Sequence, residues 1–282
     1  MNANFFYTTA FGRGIFSLMQ KAGIFRPVAW FLHTKASKPM IGRYIKNNGI
    51  DMSPYGNRDF VSFADFFARK RDIDFDADPR SLIAPCDSLL SVYEITPDLE
   101  IPMKESIYTV PDLIPESDVA EQLAGGLCLI FRLEASDYHH FCFFDDLKAI
   151  KTVYIPGELH SVQPIALRHF PVFRLNRRWW SVMETEHFGT AVQVEIGAMA
   201  VGGVTFSEGA DGFKKGTEMG NFELAGSTVA LLLDKNTRDR LELNPEIRLR
   251  KSISRSDETA EIPEVRVTIG SAIGRLKYEN QT

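Results

Sequence analysis

Apolar residues recur at helical spacing three times within the first 50 positions. Phe11, Ile15, Leu18 and Met19 form one stripe, Ile24, Val28, Phe31 and Leu32 a second, and Ile41, Tyr44 and Ile45 a shorter third. Pro27 is tolerable because it stands near a helix start. Each stripe predicts an amphipathic helix too short to be stable alone. A further short helix is predicted after Ser62, which can cap it with Asp65 three residues on. From about Leu82 the period changes. Leu82–Pro85, Leu89–Ile95, Leu127–Leu133, Ile150–Tyr154, Ala191–Ile196 and Val229–Leu233 are short apolar or alternating runs bounded by turn residues, and each predicts a strand. Val110–Leu123 predicts one helix, Arg238–Ser254 is polar with sparse apolar positions, and Ile262–Ile269 predicts a last strand. The fold class expected is α+β, a β-rich core with an amphipathic helical N-terminal arm, with arm 1–50 and body 51–282.

Charge adds to this picture. The chain has 282 residues and a net charge of −5. Residues 1–50 hold four Lys, three Arg and no Asp or Glu, so the arm carries +7 and the remainder −12. Nine aromatics lie in the same 50 residues, Phe5, Phe6 and Trp30 among them. Basic and aromatic together predict a segment lying on an anionic membrane surface; the competing reading packs the arm on the acidic body. No apolar run approaches the roughly 18 residues of a membrane span. Arg13 interrupts the only candidate apolar stretch, so no cleaved secretory signal is expected. Three cysteines, Cys86, Cys128 and Cys142, point to a reducing compartment rather than a disulfide framework.

Four segments carry candidate chemistry. Ala84-Pro85-Cys86-Asp87-Ser88 is by itself a turn. Ser136-Asp137-Tyr138-His139-His140-Phe141-Cys142 clusters two imidazoles and a thiol. If extended, it puts His140 and Cys142 on one face and His139 on the other; a bend would instead unite His139 with Cys142. The segment has too few further ligands for a metal site. Val192-Gln193-Val194-Glu195-Ile196-Gly197 leads into Gly202-Gly203, glycines that permit close approach, with Glu195 expected to face solvent. Lys215-Gly216-Thr217-Glu218-Met219-Gly220-Asn221-Phe222 leads into Gly226-Ser227-Thr228. There a serine can attack the preceding glycine carbonyl with no side chain in the way. No Gly-x-Ser-x-Gly elbow surrounds Ser227, which argues against a serine hydrolase. Trp179-Trp180 reads as interior or interface, and a phosphate contact by Arg177 and Arg178 has no support.

These four segments, in this order, resemble the phosphatidylserine decarboxylases, self-cleaving proenzymes that make their own pyruvoyl group. Two positions depart from the pattern: Ser88 replaces a glycine and Cys142 replaces the second histidine of Asp-Tyr-His-x-x-His. The resemblance implies serinolysis between Gly226 and Ser227 and conversion of Ser227 to a pyruvoyl group. That group forms a Schiff base with phosphatidylserine and releases CO₂ to leave phosphatidylethanolamine. Asp87 would orient the cleavage base, which His139, His140 or Cys142 could supply, and His139 would protonate the substrate carbon. The expected partners are phosphatidylserine, an anionic phospholipid surface and a second copy of the chain, with no nucleic acid. The expected location is peripheral, on the cytoplasmic face of the membrane. Another amino-acid or lipid substrate, and an inert membrane-bound homologue, are the alternatives.

Overall fold

The computed structural model describes residues 9–21, 23–103, 106–161, 166, 171–197, 203–207, 213–224, 227–247, 249–250 and 264–277. Gly226, residues 198–202, Phe5, Phe6 and the start of the run from Ile262 lie outside them.

The three N-terminal stripes become helices α1 (Ala10–Lys21), α2 (Phe25–His33) and α3 (Met40–Asn48). The last ends on Gly49 in the left-handed conformation, φ 60°, a helix stop that glycine adopts without strain. Helix α4 (Phe63–Phe67) is capped as expected: Asp65 N donates to Ser62 Oγ at 3.2 Å. The reciprocal arm differs, since the Asp65 carboxylate accepts from Val61 N at 2.9 Å. The predicted helix 110–123 is two, α5 (Val110–Leu113) and α6 (Ser117–Gln122). Pro115 lies between them; it lacks an N–H and drives the residue before it out of helical conformation, and Ile114 is indeed extended. Helices α7 (Val172–Leu175) and α8 (Lys235–Arg240) were not legible as stripes.

The strands are β1 (Ser81–Ile83), β2 (Ser88–Glu94), β3 (Glu100–Met103), β4 (Ser106–Thr109), β5 (Leu127–Leu133), β6 (His140–Cys142), β7 (Leu147–Ile155) and β8 (Arg178–Thr185). They continue with β9 (Thr190–Ile196), β10 (Val204–Phe206), β11 (Glu218–Phe222), β12 (Ser227–Leu233), β13 (Leu241–Leu243), β14 (Leu249–Arg250), β15 (Val265–Val267) and β16 (Ala272–Leu276). The large sheet runs β14-β2-β5-β12-β9-β8-β7, with β15 also on β2. Strand β12 lies at its centre between β5 and β9, which is why Ser227–Leu233 is buried throughout and Val229–Leu233 is apolar on both faces.

Leu90, Phe131, Val229 and Leu231 build the core on one face, where the small sheets β10-β11-β6 and β1-β16-β13 contribute Phe141, Cys142, Phe222 and Ile273. Ile130, Ala230, Val194 and Trp180 build the other, with Leu113, Ala120, Phe173 and Phe16 of the helices. A third cluster joins Ile41 of α3 to Phe63, Phe66 and Phe67 of α4 and to Leu224. Arg178 is interior: its guanidinium donates to the carbonyls of Leu113, Asp112, Arg174 and Asn176, so it caps chain ends rather than binding phosphate.

Candidate active site

Register collects the chemical segments at one end of the large sheet. Ser227 begins β12 opposite Leu133, the last residue of β5. The turn after Leu133 carries the two histidines. On the far side of β5, Leu89 of β2 pairs with Arg132, so Asp87, two residues earlier, lies at the same end. Strand β9 reaches that end with Ile196 opposite Thr228. Ser227 is 1% exposed.

The turn 134–139 is held from three directions. Its Asp137 carboxylate accepts from Glu134 N at 2.6 Å and from Arg266 at 2.7 Å. Buried Arg69 donates to the carbonyls of Ser136 and Asp137. His139, fully buried, lies against the ring of Phe67 at 4.3 Å between centroids. Its Nδ1 is 3.0 Å from the Asp137 carbonyl oxygen. A carbonyl only accepts, so Nδ1 carries the proton and Nε2 the lone pair. Among the described residues Nε2 has no hydrogen-bond partner. Burial, with Arg69 nearby, lowers the pKa of this imidazole to about 3.

His140 and Cys142 lie on strand β6, so the extended reading of the segment holds and the two share a face. His140 stacks on Tyr138, centroids 4.5 Å apart and planes 10° from parallel. Its Nε2 is 3.3 Å from the Ala68 carbonyl, and its Nδ1 is 3.4 Å from Glu218 Oε1, an ion-pair distance without hydrogen-bond alignment. The neighbouring His140, with the Lys70 ammonium, lowers the Glu218 carboxyl to about 2. His140 thus has the Ala68 carbonyl beside one ring nitrogen and the Glu218 carboxylate beside the other.

Cys142 N donates to the Pro85 carbonyl at 2.8 Å, which ties β6 to the Asp87 turn. Burial pushes its thiol up to about 12, so it stays protonated at neutral pH. The Asp87 carboxylate accepts from Arg71 at 2.8 Å and from Ile269 N at 2.8 Å. None of the described hydrogen bonds joins it to His139, His140 or Cys142. Its link to the histidines is indirect: the Arg71 guanidinium lies 4.8 Å from the centre of the Tyr138 ring, which also stacks on His140.

The glycine-broken turn before the serine is structural. Lys215 Nζ donates to the carbonyls of Asp78 and Ser81, each at 2.7 Å. Gly216 has φ +78°, and a Cβ there would enter the ring of Phe75. Gly203 is likewise filled by the Glu223 carboxylate.

Glu195 overturns one expectation. It does not face solvent but is fully buried, in the layer between the large sheet and β11. Arg69, Arg71 and Glu195 were not singled out from sequence as site residues. The sequence carries no signal for Glu195, since Gln193 and Glu195 alternate with Val192, Val194 and Ile196 in the pattern of a strand with one solvated face.

Residues 61–255 match the family model for phosphatidylserine decarboxylase. The chain is 40% identical over 232 residues to phosphatidylserine decarboxylase proenzyme 2 of Clostridium acetobutylicum, covering 81% of this chain and 79% of that one. It is 33% identical over 281 residues to a phosphatidylserine decarboxylase proenzyme of Ruminiclostridium cellulolyticum, covering 96% and 90%. To that of Clostridium kluyveri it is 34% identical over 283 residues, covering 97% and 91%.

Proposed function

The chain belongs to the phosphatidylserine decarboxylase family, and on that premise we propose that it converts phosphatidylserine to phosphatidylethanolamine on a pyruvoyl group made from its own Ser227. It is a carboxy-lyase made as a proenzyme, and the reading places the cut between Gly226 and Ser227. The observation that carries this is the position of Ser227. Its hydroxyl sits at the head of the central strand, nearly excluded from water, at the sheet end that also holds Asp87 and the His139 turn.

The residues around Ser227 fit a pyruvoyl group there. The group is uncharged, as a site 1% exposed requires. Two buried polar atoms without a described partner, His139 Nε2 and Glu195 Oε2, belong to the segments beside it. When formed, the group supplies a carbonyl that takes the substrate amine and draws electrons as CO₂ leaves. The chain's own residues do the rest. Phe67 and the Asp137 carbonyl fix the His139 ring, leaving Nε2 as the open nitrogen. Burial keeps the ring neutral at rest, so Nε2 delivers a proton to the substrate carbon only after taking one up during the reaction. Arg71 and Ile269 hold Asp87, and Arg71 with Tyr138 holds the ring of His140.

The arm supports work at a lipid surface. Phe11 and Trp30 are 73% and 72% exposed, and Leu18, Ile24 and Val28 are exposed with them. No helix among the described residues is long and apolar enough to cross a membrane. The reading is peripheral binding through α1 and α2, with α3 packed on α4. The test is release of CO₂ from phosphatidylserine in mixed vesicles: the wild-type protein should release it and Ser227→Ala should not.

A further inference from the structure

Glu195 lies inside β9, paired with Val229 of β12 on one side and Trp179 of β8 on the other. Residues directly opposite in an antiparallel ladder share a face. Glu195 therefore faces the side that Val229 faces, and Ser227, two residues before Val229, faces it too. The two form a diagonal pair on neighbouring strands. Such pairs have Cβ atoms about 7 Å apart, within reach of a long side chain. A glutamate extended toward a serine spans that gap.

The carboxyl is held on one side only. Its Oε1 accepts from Gln193 Nε2 at 2.9 Å, and that same amide lies 3.4 Å from Met219 Sδ. Gln193 pairs with Leu231, so this tether is on the side of Glu195 away from Ser227. Oε2 has no hydrogen-bond partner among the described residues, and none of the described ion pairs includes Glu195. An acid buried with no cation beside it is costly, and a core needing only shape would be better served by glutamine or leucine. Burial raises this carboxyl to about 7, against the small opposing effect of the Gln193 hydrogen bond. It can therefore hold or release a proton at neutral pH. Of the other groups at this end of the sheet, the Cys142 thiol stays protonated and the buried His139 ring stays neutral at that pH.

We propose that Glu195 is the residue that moves the proton in self-cleavage. It takes the proton from Ser227 Oγ as that oxygen bonds to the Gly226 carbonyl carbon. It gives the proton to the Ser227 nitrogen as the carbon–nitrogen bond breaks, which leaves an ester and a free amine. One proton travels from oxygen to nitrogen, and no other reactant is needed. Gln193 positions the carboxyl.

The inference rests on the reading of Gly226-Ser227 as the cut. The experiment follows full-length chain made by cell-free translation, chased over time and read by denaturing electrophoresis and intact mass. Wild type, Ser227→Ala, Glu195→Gln and Glu195→Asp are compared. Glu195→Gln should cleave slower by on the order of 10²-fold. Its melting temperature should be no lower than that of uncleaved Ser227→Ala. Hydroxylamine, which cuts esters, should not restore cleavage. Glu195→Asp, one methylene shorter, should be intermediate, and it decides the matter if Glu195→Gln does not fold. Cleavage of a carboxyl-free variant within twofold of wild type overturns the inference, even if decarboxylation falls. So does rescue by hydroxylamine, which would mean that the ester forms without Glu195, and so does an Asp variant at the wild-type rate. In these cases the cut itself stands. A wild-type chain that never cleaves removes both readings.

Discussion

The Arg71 guanidinium lies 2.8 Å from the Asp87 carboxylate while its face covers the ring of Tyr138. One cation thus connects the Asp87 turn to the histidine segment. The second carboxylate oxygen of Asp87 takes the backbone N–H of Ile269 at 2.8 Å. Asp87→Asn keeps one acceptor and loses the charge. It should lower stability by about 2 kcal/mol, the scale of a charge-assisted hydrogen bond. It should also slow cleavage at least tenfold, as timed gels of the precursor would read. Unchanged cleavage would mean that Asp87 does not set the geometry around Ser227.

Cys142 stands where the family pattern has a histidine, yet its thiol is buried and protonated. Cys142→Ala should therefore mature within a few-fold of wild type and lose roughly 1–2 kcal/mol through the small cavity left. A Cys142→Ala precursor that never matures would identify the thiol as the base.

The two shifted groups near the serine give opposite slopes of stability with pH, best read in uncleaved Ser227→Ala. Glu195 has its pKa raised from 4.5 to about 7, so the folded state holds its proton more tightly. Its contribution is present below the unfolded value and is lost as pH rises from about 4.5 to about 7. His139 is lowered from 6.5 to about 3, so the unfolded state binds the proton more tightly. Its neutral burial favours the fold above about 6.5, and that advantage declines as pH falls toward about 3. Adding Glu195→Gln to Ser227→Ala should raise the melting temperature more at pH 8 than at pH 5. An equal gain at both values would mean that the carboxyl is not ionising in this range.

Much of this architecture was legible in sequence. The three helices of the arm, the Ser62 cap and the strands of the sheet interior follow from periodicity, but the burial of the arm does not: Phe11, Leu18, Ile24 and Val28 of the first two stripes are exposed, and Phe16, outside them, is buried. Strand β8 and the break at Pro115 were not read. The first hides behind Arg178 and two tryptophans, and the second lies inside an otherwise helical run. The motif residues around the site were legible, but their partners were not. Arg69 and Arg71 act from over 60 residues away in sequence, and Glu195 reads as solvent-facing until the small sheet covers it. Tertiary contacts of this kind leave no local trace.

The arm gives a prediction at a lipid surface. Phe11→Ser with Trp30→Ser should weaken sedimentation with anionic vesicles several-fold and leave the melting temperature unchanged, because both side chains are exposed. High salt should detach part of the wild-type protein, since screening reaches the basic residues but not the inserted rings. Removal of residues 1–32 should also cut away Phe16, which packs on Phe25 and on His160, so the point variants separate membrane binding from stability more cleanly. Vesicle binding equal to wild type in the double variant would mean that the arm is not the anchor.

The most direct measurement is the intact mass of the purified protein under denaturing conditions. Self-cleavage before Ser227 predicts two fragments of 226 and 56 residues, the smaller beginning with a pyruvoyl group and refusing amine-reactive sequencing. Ser227→Ala should give one chain of 282 residues and no decarboxylation. A wild-type protein that remains a single chain and still decarboxylates phosphatidylserine would contradict the account.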